Sequence, residues 1–233
     1  MKQLIKDLFS KYNFSLSTLQ IEQFEIFYKF LIEENQKYNL TAITEKEEVI
    51  LKHFIDSVLP IKEIPQNAKV IDVGTGAGFP GLPLKILRPD IKLTLLDSLQ
   101  KRINFLNMLL EKLNINDVVT VHSRAEDYVS KNREAFDISL SRAVASLPTL
   151  SEYLIPFVKL SGKIIMYKGS KLKEELLQGD KAIKELGGEV LTTKHFYLKE
   201  VESDRYILII KKINHTNKKY PRGKNLPKTK PII

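Results

Sequence analysis

The chain has 233 residues, 43% of them hydrophobic, with 37 basic against 28 acidic side chains and no cysteine. That length and apolar content can bury one generous core, which excludes a disordered chain, and the missing cysteines exclude disulfide scaffolds, thiolate nucleophiles and cysteine metal sites. No apolar run approaches a membrane span, and Met1–Tyr12 is an amphipathic mixture with Lys2, Lys6, Asp7 and Lys11 rather than a secretory leader, so the expectation is a cytoplasmic protein without a membrane anchor.

Residues 2 to about 60 read as helices. Leu19, Gln20, Phe24, Phe27, Phe30 and Leu31 recur at three- and four-residue steps with Glu22, Glu25, Lys29, Glu33 and Glu34 between them, an amphipathic helix with an aromatic packing face. Asn39-Leu-Thr-Ala-Ile-Thr is a loop, and Thr44 with Glu47 predicts a capping box for a helix reaching Val58. Pro60 and Pro65 punctuate a link into a region of alternating strands and helices. Strands are predicted at Lys69–Gly74, Leu93–Asp97, Val118–His122, Asp137–Ser141, Lys163–Tyr167, Glu189–Phe196 and Arg205–Ile210. Helices are predicted near 81–87, 99–114, 124–130, 146–157 and 170–186. Such alternation specifies an α/β fold with a mainly parallel sheet. The last two strands are separated by only Leu198 to Asp204, too few residues for a crossover helix, so they should close the seven-stranded sheet as an antiparallel hairpin. From Lys211 to Ile233 there are eight basic residues and no acidic one, which leaves 29 basic against 28 acidic side chains in the first 210 residues. The positive charge is thus a C-terminal feature, suited either to phosphate tracking or to solubility. The expected organisation is a helical extension (1–65), an α/β domain (66–213) and a basic tail (214–233).

The most informative stretch is Lys69 to Leu82, where an apolar strand broken only by Asp72 runs through glycines 74, 76, 78 and 81 into a helix. Open backbone at such a turn lets a nucleotide-like ligand approach. Gly76-Ala-Gly78-Phe-Pro-Gly81 satisfies the dinucleotide spacing G-x-G-x-x-G, and Asp97 lies about 20 residues on, as a ribose-binding acid would. Three features pull away from NAD. Asp72 sits inside the strand, the first tight G-x-G is Gly74-Thr-Gly76, and Pro80 at the expected first helical position removes an N–H that a pyrophosphate would use. A phosphate-free adenosine cofactor does not need that donor. For Asp97 the competing role is a cap for the following helix, and for Glu126 an exposed first-turn position.

An acid-ended strand, G-x-G-x-G, a second acidic strand end and a terminal hairpin together resemble the class I S-adenosylmethionine-dependent methyltransferases. The resemblance implies a Rossmann-like seven-stranded sheet whose Gly74, Gly76 and Gly78 approach the methionine and ribose, with Asp97 on the ribose hydroxyls and the Ser123–Glu126 segment near the adenine. It narrows further. Asn39-Leu-Thr-Ala-Ile-Thr, Lys52-His53-Phe-Ile-Asp56-Ser57, Asp72-Val-Gly-Thr-Gly-Ala-Gly-Phe-Pro-Gly81, Ser141-Arg142-Ala143 and Tyr220-Pro-Arg222-Gly223 occur in this order. The combination resembles the bacterial small-subunit ribosomal RNA guanine-N7 methyltransferase family (RsmG, formerly glucose-inhibited division protein B). It implies S-adenosyl-L-methionine as cofactor, cofactor positions at Gly74, Phe79, Ala125, Glu126 and Arg142, and 16S rRNA or the small ribosomal subunit as partner.

Guanine N7 carries a free lone pair and needs no deprotonation, so positioning suffices. The sequence agrees with that economy. It has no Ser/His/Asp signature, and His53, His122, His195 and His215 are scattered without metal-ligand spacing, so no metal is expected. His53 and Asp56 are read as braces for the cofactor lobe. Arg142, closing the fourth strand, could hold the cofactor, a phosphate or a guanine edge. Lys168, closing the fifth, is a substrate candidate or a solvated lysine. Tyr220 and Arg222 in the tail combine stacking with charge, as looped RNA prefers. Removal of residues 215 to 233 is expected to abolish RNA methylation and spare cofactor affinity. No catalytic side chain is assigned, and a monomer is expected. The competing readings are a non-enzymatic RNA- or ribosome-binding factor on the same fold, an NAD-binding oxidoreductase, and a small-molecule methyltransferase, against which the basic tail argues.

Overall fold

The structure is a computed structural model that describes residues 1–142 and 145–233. Its centre is one sheet of seven strands: β1 (Lys69–Val73), β2 (Lys92–Asp97), β3 (Val118–His122), β4 (Phe136–Ser141), β5 (Val158–Lys168), β6 (Gly188–Leu198) and β7 (Ser203–Lys212). The strands lie in the order β3-β2-β1-β4-β5-β7-β6. The first five are parallel, while β7 runs antiparallel to both β5 and β6. The expected terminal hairpin is therefore present, and all seven strands fall where the hydrophobic pattern puts them.

Alternation along β1 shows how the sheet divides its neighbours. Val70 faces one apolar cluster, and Ile71 and Val73 face the other, as successive side chains on a strand must. On the Val70 side lie α1 (Lys2–Lys11), α2 (Thr18–Tyr38), a helical segment running from α3 (Lys46–Val49) through a π-helical stretch (Ile50–Ile55) into α4 (Asp56–Val58), then α5 (Gly81–Leu87) and α6 (Gln100–Leu113). On the other side lie α7 (Ala125–Asn132), α8 (Leu147–Leu154) and α9 (Leu172–Glu185). A sheet wound on both faces buries its inner parallel strands, which is why β1 and β2 read as nearly continuous apolar runs.

The N-terminal helices share the core of the sheet. Phe24, Phe27 and Phe30 of α2 are buried, and Phe27 stacks on Phe79 at 5.1 Å between centroids with 7° between planes. Residues on both sides of position 65 thus join one apolar cluster. Two local expectations are corrected. The cap near residue 45 is not a Thr44–Glu47 box, since Glu45 occupies the N-cap with no side-chain hydrogen bond and the Thr44 carbonyl instead accepts from Tyr28 Oη at 3.2 Å. A capping box exists at Ser17 and Gln20, starting α2. Pro80 is the N-cap of α5 rather than its first residue.

The tail is folded. It ends in α10 (Leu226–Thr229) and packs against α8 and α9, with Tyr220 and Ile232 buried in the cluster on that side of the sheet. Among the described residues no helix is long and apolar enough to cross a membrane.

Candidate active site

The parallel strands end along one edge, and the topological switch falls between the adjacent strands β1 and β4, where open α/β sheets form their ligand crevice. Asp72 organises the turn that leaves β1. It is fully buried, and its Oδ2 accepts from Thr75 Oγ1 and from the Gly81 amide, both at 2.8 Å. One carboxylate oxygen therefore ties both ends of the glycine turn. Burial pushes the Asp72 carboxyl up to about 7 against the pull of those two hydrogen bonds. Gly81 must be glycine, because a Cβ there would lie 2.8 Å from Leu95 Cδ2 and 2.9 Å from Asp72 Oδ2. Gly74, Gly76 and Gly78 all have positive φ, and a Cβ on Gly76 would meet nothing within 4 Å, so the turn presents bare backbone to open space.

Most amides of this turn are already engaged. Gly74 and Thr75 donate to the Leu96 carbonyl, Gly78 and Phe79 to the Thr75 carbonyl, Gly76 to Asp97 Oδ2 and Gly81 to Asp72. A pyrophosphate cradle needs such N–H groups pointing outward. Six of the turn's N–H groups are directed inward, and the carboxylates of Asp97 and Glu126 border the adjoining cavity. This donor set fits a phosphate-free adenosine cofactor and disfavours a dinucleotide.

Two cavities meet at Gly74. One, of about 200 Å³, is bounded by Gly74, Asp97, Ser123, Ala125, Glu126 and Tyr153. The other, of about 300 Å³, is bounded by Thr41, His53, Gly74, Gly76, Phe79, Arg102 and Arg142. The sequence candidates Gly74, Gly76, Phe79, Asp97, Ala125, Glu126 and Arg142 are thus brought together around one elongated crevice. Asp97 closes β2 and is 2% exposed. Beyond Gly76 it accepts from the Leu99 amide at 2.9 Å and pairs with Arg102 at 3.1 Å, so it both steadies the start of α6 and lines the cavity. The Glu126 side chain is only 10% exposed, close to Arg124 at 3.8 Å, and is therefore no ordinary surface residue of α7.

Phe79 links the crevice to the core. Its ring stacks with His53 at 4.7 Å and receives the Arg142 guanidinium at 5.1 Å, while Phe27 stacks on it from α2. Arg142 Nη1 donates to Asp56 Oδ2 at 2.9 Å and to the Lys52 carbonyl at 3.0 Å, and Asp56 Oδ1 lies 3.2 Å from Arg205 Nε. His53 Nε2 is 2.8 Å from Thr41 Oγ1. Burial, with the Arg142 charge beside it, depresses His53 to about 4, so the ring is neutral at pH 7. The brace expected of His53 and Asp56 therefore works through Arg142. Sequence reasoning gave Thr41 no role beyond its place in the Asn39–Thr44 motif, and it missed Arg205. Arg205 lies 149 positions after Asp56, and nothing local signals that β7 will return beside α4. Ala143, the last residue of the Ser-Arg-Ala motif, lies outside the described residues.

A third cavity, of about 670 Å³, shares His53 and Arg142 with the second and includes Asp56, Lys168, Glu175 and Arg205. Lys168 is here, only 8% exposed. Tyr220 and Arg222 are elsewhere. Tyr220 is 5% exposed and donates its hydroxyl to Glu185, while its carbonyl accepts from Arg133. Arg222 binds Glu152 through Nε at 2.9 Å and Nη2 at 2.7 Å, and Glu152 is completely buried. In this geometry both residues anchor the tail to α8 and α9. Glu152, the partner that anchors Arg222, had no sequence signal.

With the cleft defined, comparison with known proteins gives its family. The family model described as rRNA small subunit methyltransferase G matches residues 20–207. The chain belongs to that family. Within it, the ribosomal RNA small subunit methyltransferase G of Bacillus cereus is 50% identical over 222 residues, which span 94% of this chain and 93% of the relative. That of Desulforamulus reducens is 48% identical over 236 residues, spanning 100% and 97%. Among solved structures, M. jannaschii TYW2 in complex with AdoMet superposes with a TM-score of 0.56 at 14% identity, covering 74% of this chain and 80% of that one. A 16S rRNA (adenine(1408)-N(1))-methyltransferase with cosubstrate SAM from Catenulisporales acidiphilia gives 0.55 at 12%, covering 70% and 92%. At such identities the shared property is the class I methyltransferase fold, which this chain has. Membership in the methyltransferase G family favours a ribosomal RNA methyltransferase over an oxidoreductase. Among the described residues no group of histidines and carboxylates is arranged to hold a metal ion.

Proposed function

We propose that the chain transfers the methyl group of S-adenosylmethionine to N7 of a guanine in small-subunit 16S ribosomal RNA. The observation that carries the reading is the crevice in which most of the turn's amides are internally satisfied, running from Asp97 and Glu126 past Gly74 to Arg142. In it Asp97 accepts from the ribose hydroxyls, Ala125 and Glu126 border the adenine, and Gly74 and Gly76 let the amino-acid half approach. Phe79 and Arg142 close the far end. The cofactor supplies an electrophilic methyl on a sulfonium.

The protein's part is placement and dielectric control. N7 attacks with its own lone pair, the carbon–sulfur bond breaks with its electrons going to sulfur, and positive charge passes to the base. No proton has to be removed first, and among the described residues around the glycine-turn cavity the histidine is no poised base. His53 is a weak base under burial, and Asp56 is held by Arg142 and Arg205. Both facts suit N7 and argue against a target atom that must be deprotonated. A ribosomal substrate suits the cytoplasm.

Incubation of the protein with 16S rRNA and S-adenosylmethionine labelled in the methyl group tests the reading. Label should appear in 7-methylguanosine after nucleoside digestion. Label in another nucleoside, or none, would refute it.

A further inference from the structure

The third cavity contains an arrangement that its ion pairs alone do not explain. Lys168 ends β5 with its Nζ donating to the Ala145 carbonyl at 2.9 Å and to Glu175 Oε2 at 2.7 Å. An ammonium has three donors, so one remains. Glu175 stands in the first turn of α9 with one oxygen engaged by Lys168 and lone pairs left over. A cavity-wall ion pair of this kind adds little to stability after desolvation, yet it puts a spare donor and a spare acceptor side by side. The other carboxylate of this cavity, Asp56, is held between Arg142 and Arg205. Arg142 Nη1 is likewise engaged by Asp56 and the Lys52 carbonyl.

We propose that Lys168 and Glu175 read the Watson–Crick edge of the target guanine, with Lys168 Nζ donating to O6 and the Glu175 carboxylate accepting from N1–H and the exocyclic amine. This rests on the guanine-N7 reading of the cleft. Guanine offers an acceptor beside two donors on that edge, the complement of the pair. Adenine offers a donor beside an acceptor, which would set like polarity against both groups. His53 and Arg142 border both this cavity and the one at the glycine turn, so a base held here lies against the methyl-donor end. As N7 takes the methyl, the ring becomes cationic and its N1–H more acidic. A carboxylate opposite N1–H binds that state more tightly than the ground state, so Glu175 acts on kcat as well as on KM.

The test uses the full chain, wild type and Glu175→Gln, on a 16S rRNA transcript and on the same transcript carrying inosine at the guanosine that the wild type methylates. Inosine keeps N7, O6 and N1–H and lacks only the exocyclic amine. Wild type should lose about tenfold in kcat/KM on inosine, in line with one lost hydrogen bond to a charged group. Glu175→Gln should lose about thirtyfold or more on guanosine, discriminate little between the two RNAs, and bind S-adenosylmethionine as wild type does by calorimetry. Wild-type indifference to inosine, unchanged activity of the variant, full discrimination retained by a weakened variant, or loss of cofactor binding with activity would each overturn the pairing. A wild-type protein that methylates no guanine refutes the function itself, which separates that failure from these.

Discussion

The glycine turn and the basic tail are the two regions with the strongest sequence signals, and they differ in where the partners of their polar groups come from. At the turn, spacing carries the information. Positive φ at three glycines and the Asp72 tie between Thr75 and Gly81 are local geometric necessities, visible within 12 residues. In the tail, composition carries it, and composition does not say which charges are already partnered. Arg222 is committed to buried Glu152 and Tyr220 to Glu185, while Lys218, Lys224 and Lys228 stay exposed. A motif fixes a role when its chemistry is closed within itself, and a charge run leaves the role to tertiary partners.

The largest expected effect breaks the tail's side of this contrast. Arg222→Ala should destabilise the protein by about 3 kcal/mol, read by denaturant unfolding, because it strands a buried carboxylate. A change under 0.5 kcal/mol would restore Arg222 to the surface role expected from sequence. Truncation before residue 216 should likewise cost fold stability rather than RNA binding alone, since it removes Tyr220, Arg222 and Ile232 from their buried positions.

A pH measurement sharpens the turn's side. His53 is held at about 4 in the folded protein and titrates near 6.5 when unfolded. As pH falls from 6.5 towards 4 the unfolded chain takes a proton that the native ring refuses, so this contribution to stability is present above 6.5 and is lost on acidification. Asp72 works the other way. Its native carboxyl protonates at about 7 against 3.8 unfolded, so it favours folding as pH falls through that window. Comparing wild type with His53→Gln cancels the Asp72 contribution. The stability of wild type relative to the variant should fall by up to about 3 kcal/mol between pH 6.5 and 4. A pH-independent difference would mean that His53 is not held neutral beside Arg142.

Asp97→Asn should weaken S-adenosylmethionine binding by about 2 kcal/mol, roughly thirtyfold, measured by calorimetry, as a charged acceptor is lost from the ribose end. Equal affinity would leave Asp97 only its contacts to Gly76, Leu99 and Arg102. The smallest effect concerns the free tail lysines. Lys224→Gln and Lys228→Gln should each change stability by less than about 0.5 kcal/mol. Each should lower the salt slope of rRNA binding by about one if its charge faces phosphate. An unchanged slope would leave the tail purely structural.

Much of the fold was legible because parallel strands buried on both faces must be apolar and crossover helices must separate them. Val70, Ile71 and Val73 could hardly belong to anything else. The candidate cofactor positions were legible for the same reason as the turn, since Asp97 closes β2 while Gly74 and Glu126 come after the ends of β1 and β3. The network around Arg142 was half legible. His53 and Asp56 drew notice as a brace, yet what they brace and the part played by Arg205 depend on β7 returning antiparallel beside β5. Glu152 and Glu175 gave no signal at all, because an acidic residue on an amphipathic helix looks the same whether it meets solvent or a basic side chain from elsewhere in the fold.

The central claim is that this cleft methylates a guanine of small-subunit rRNA at N7. Mass spectrometry of nucleosides from 16S rRNA of cells with and without the protein tests it most directly. The account predicts loss of one 7-methylguanosine, restored by the wild-type chain and not by an Asp97 variant that fails to bind the cofactor. Persistence of every 7-methylguanosine in its absence would contradict the account.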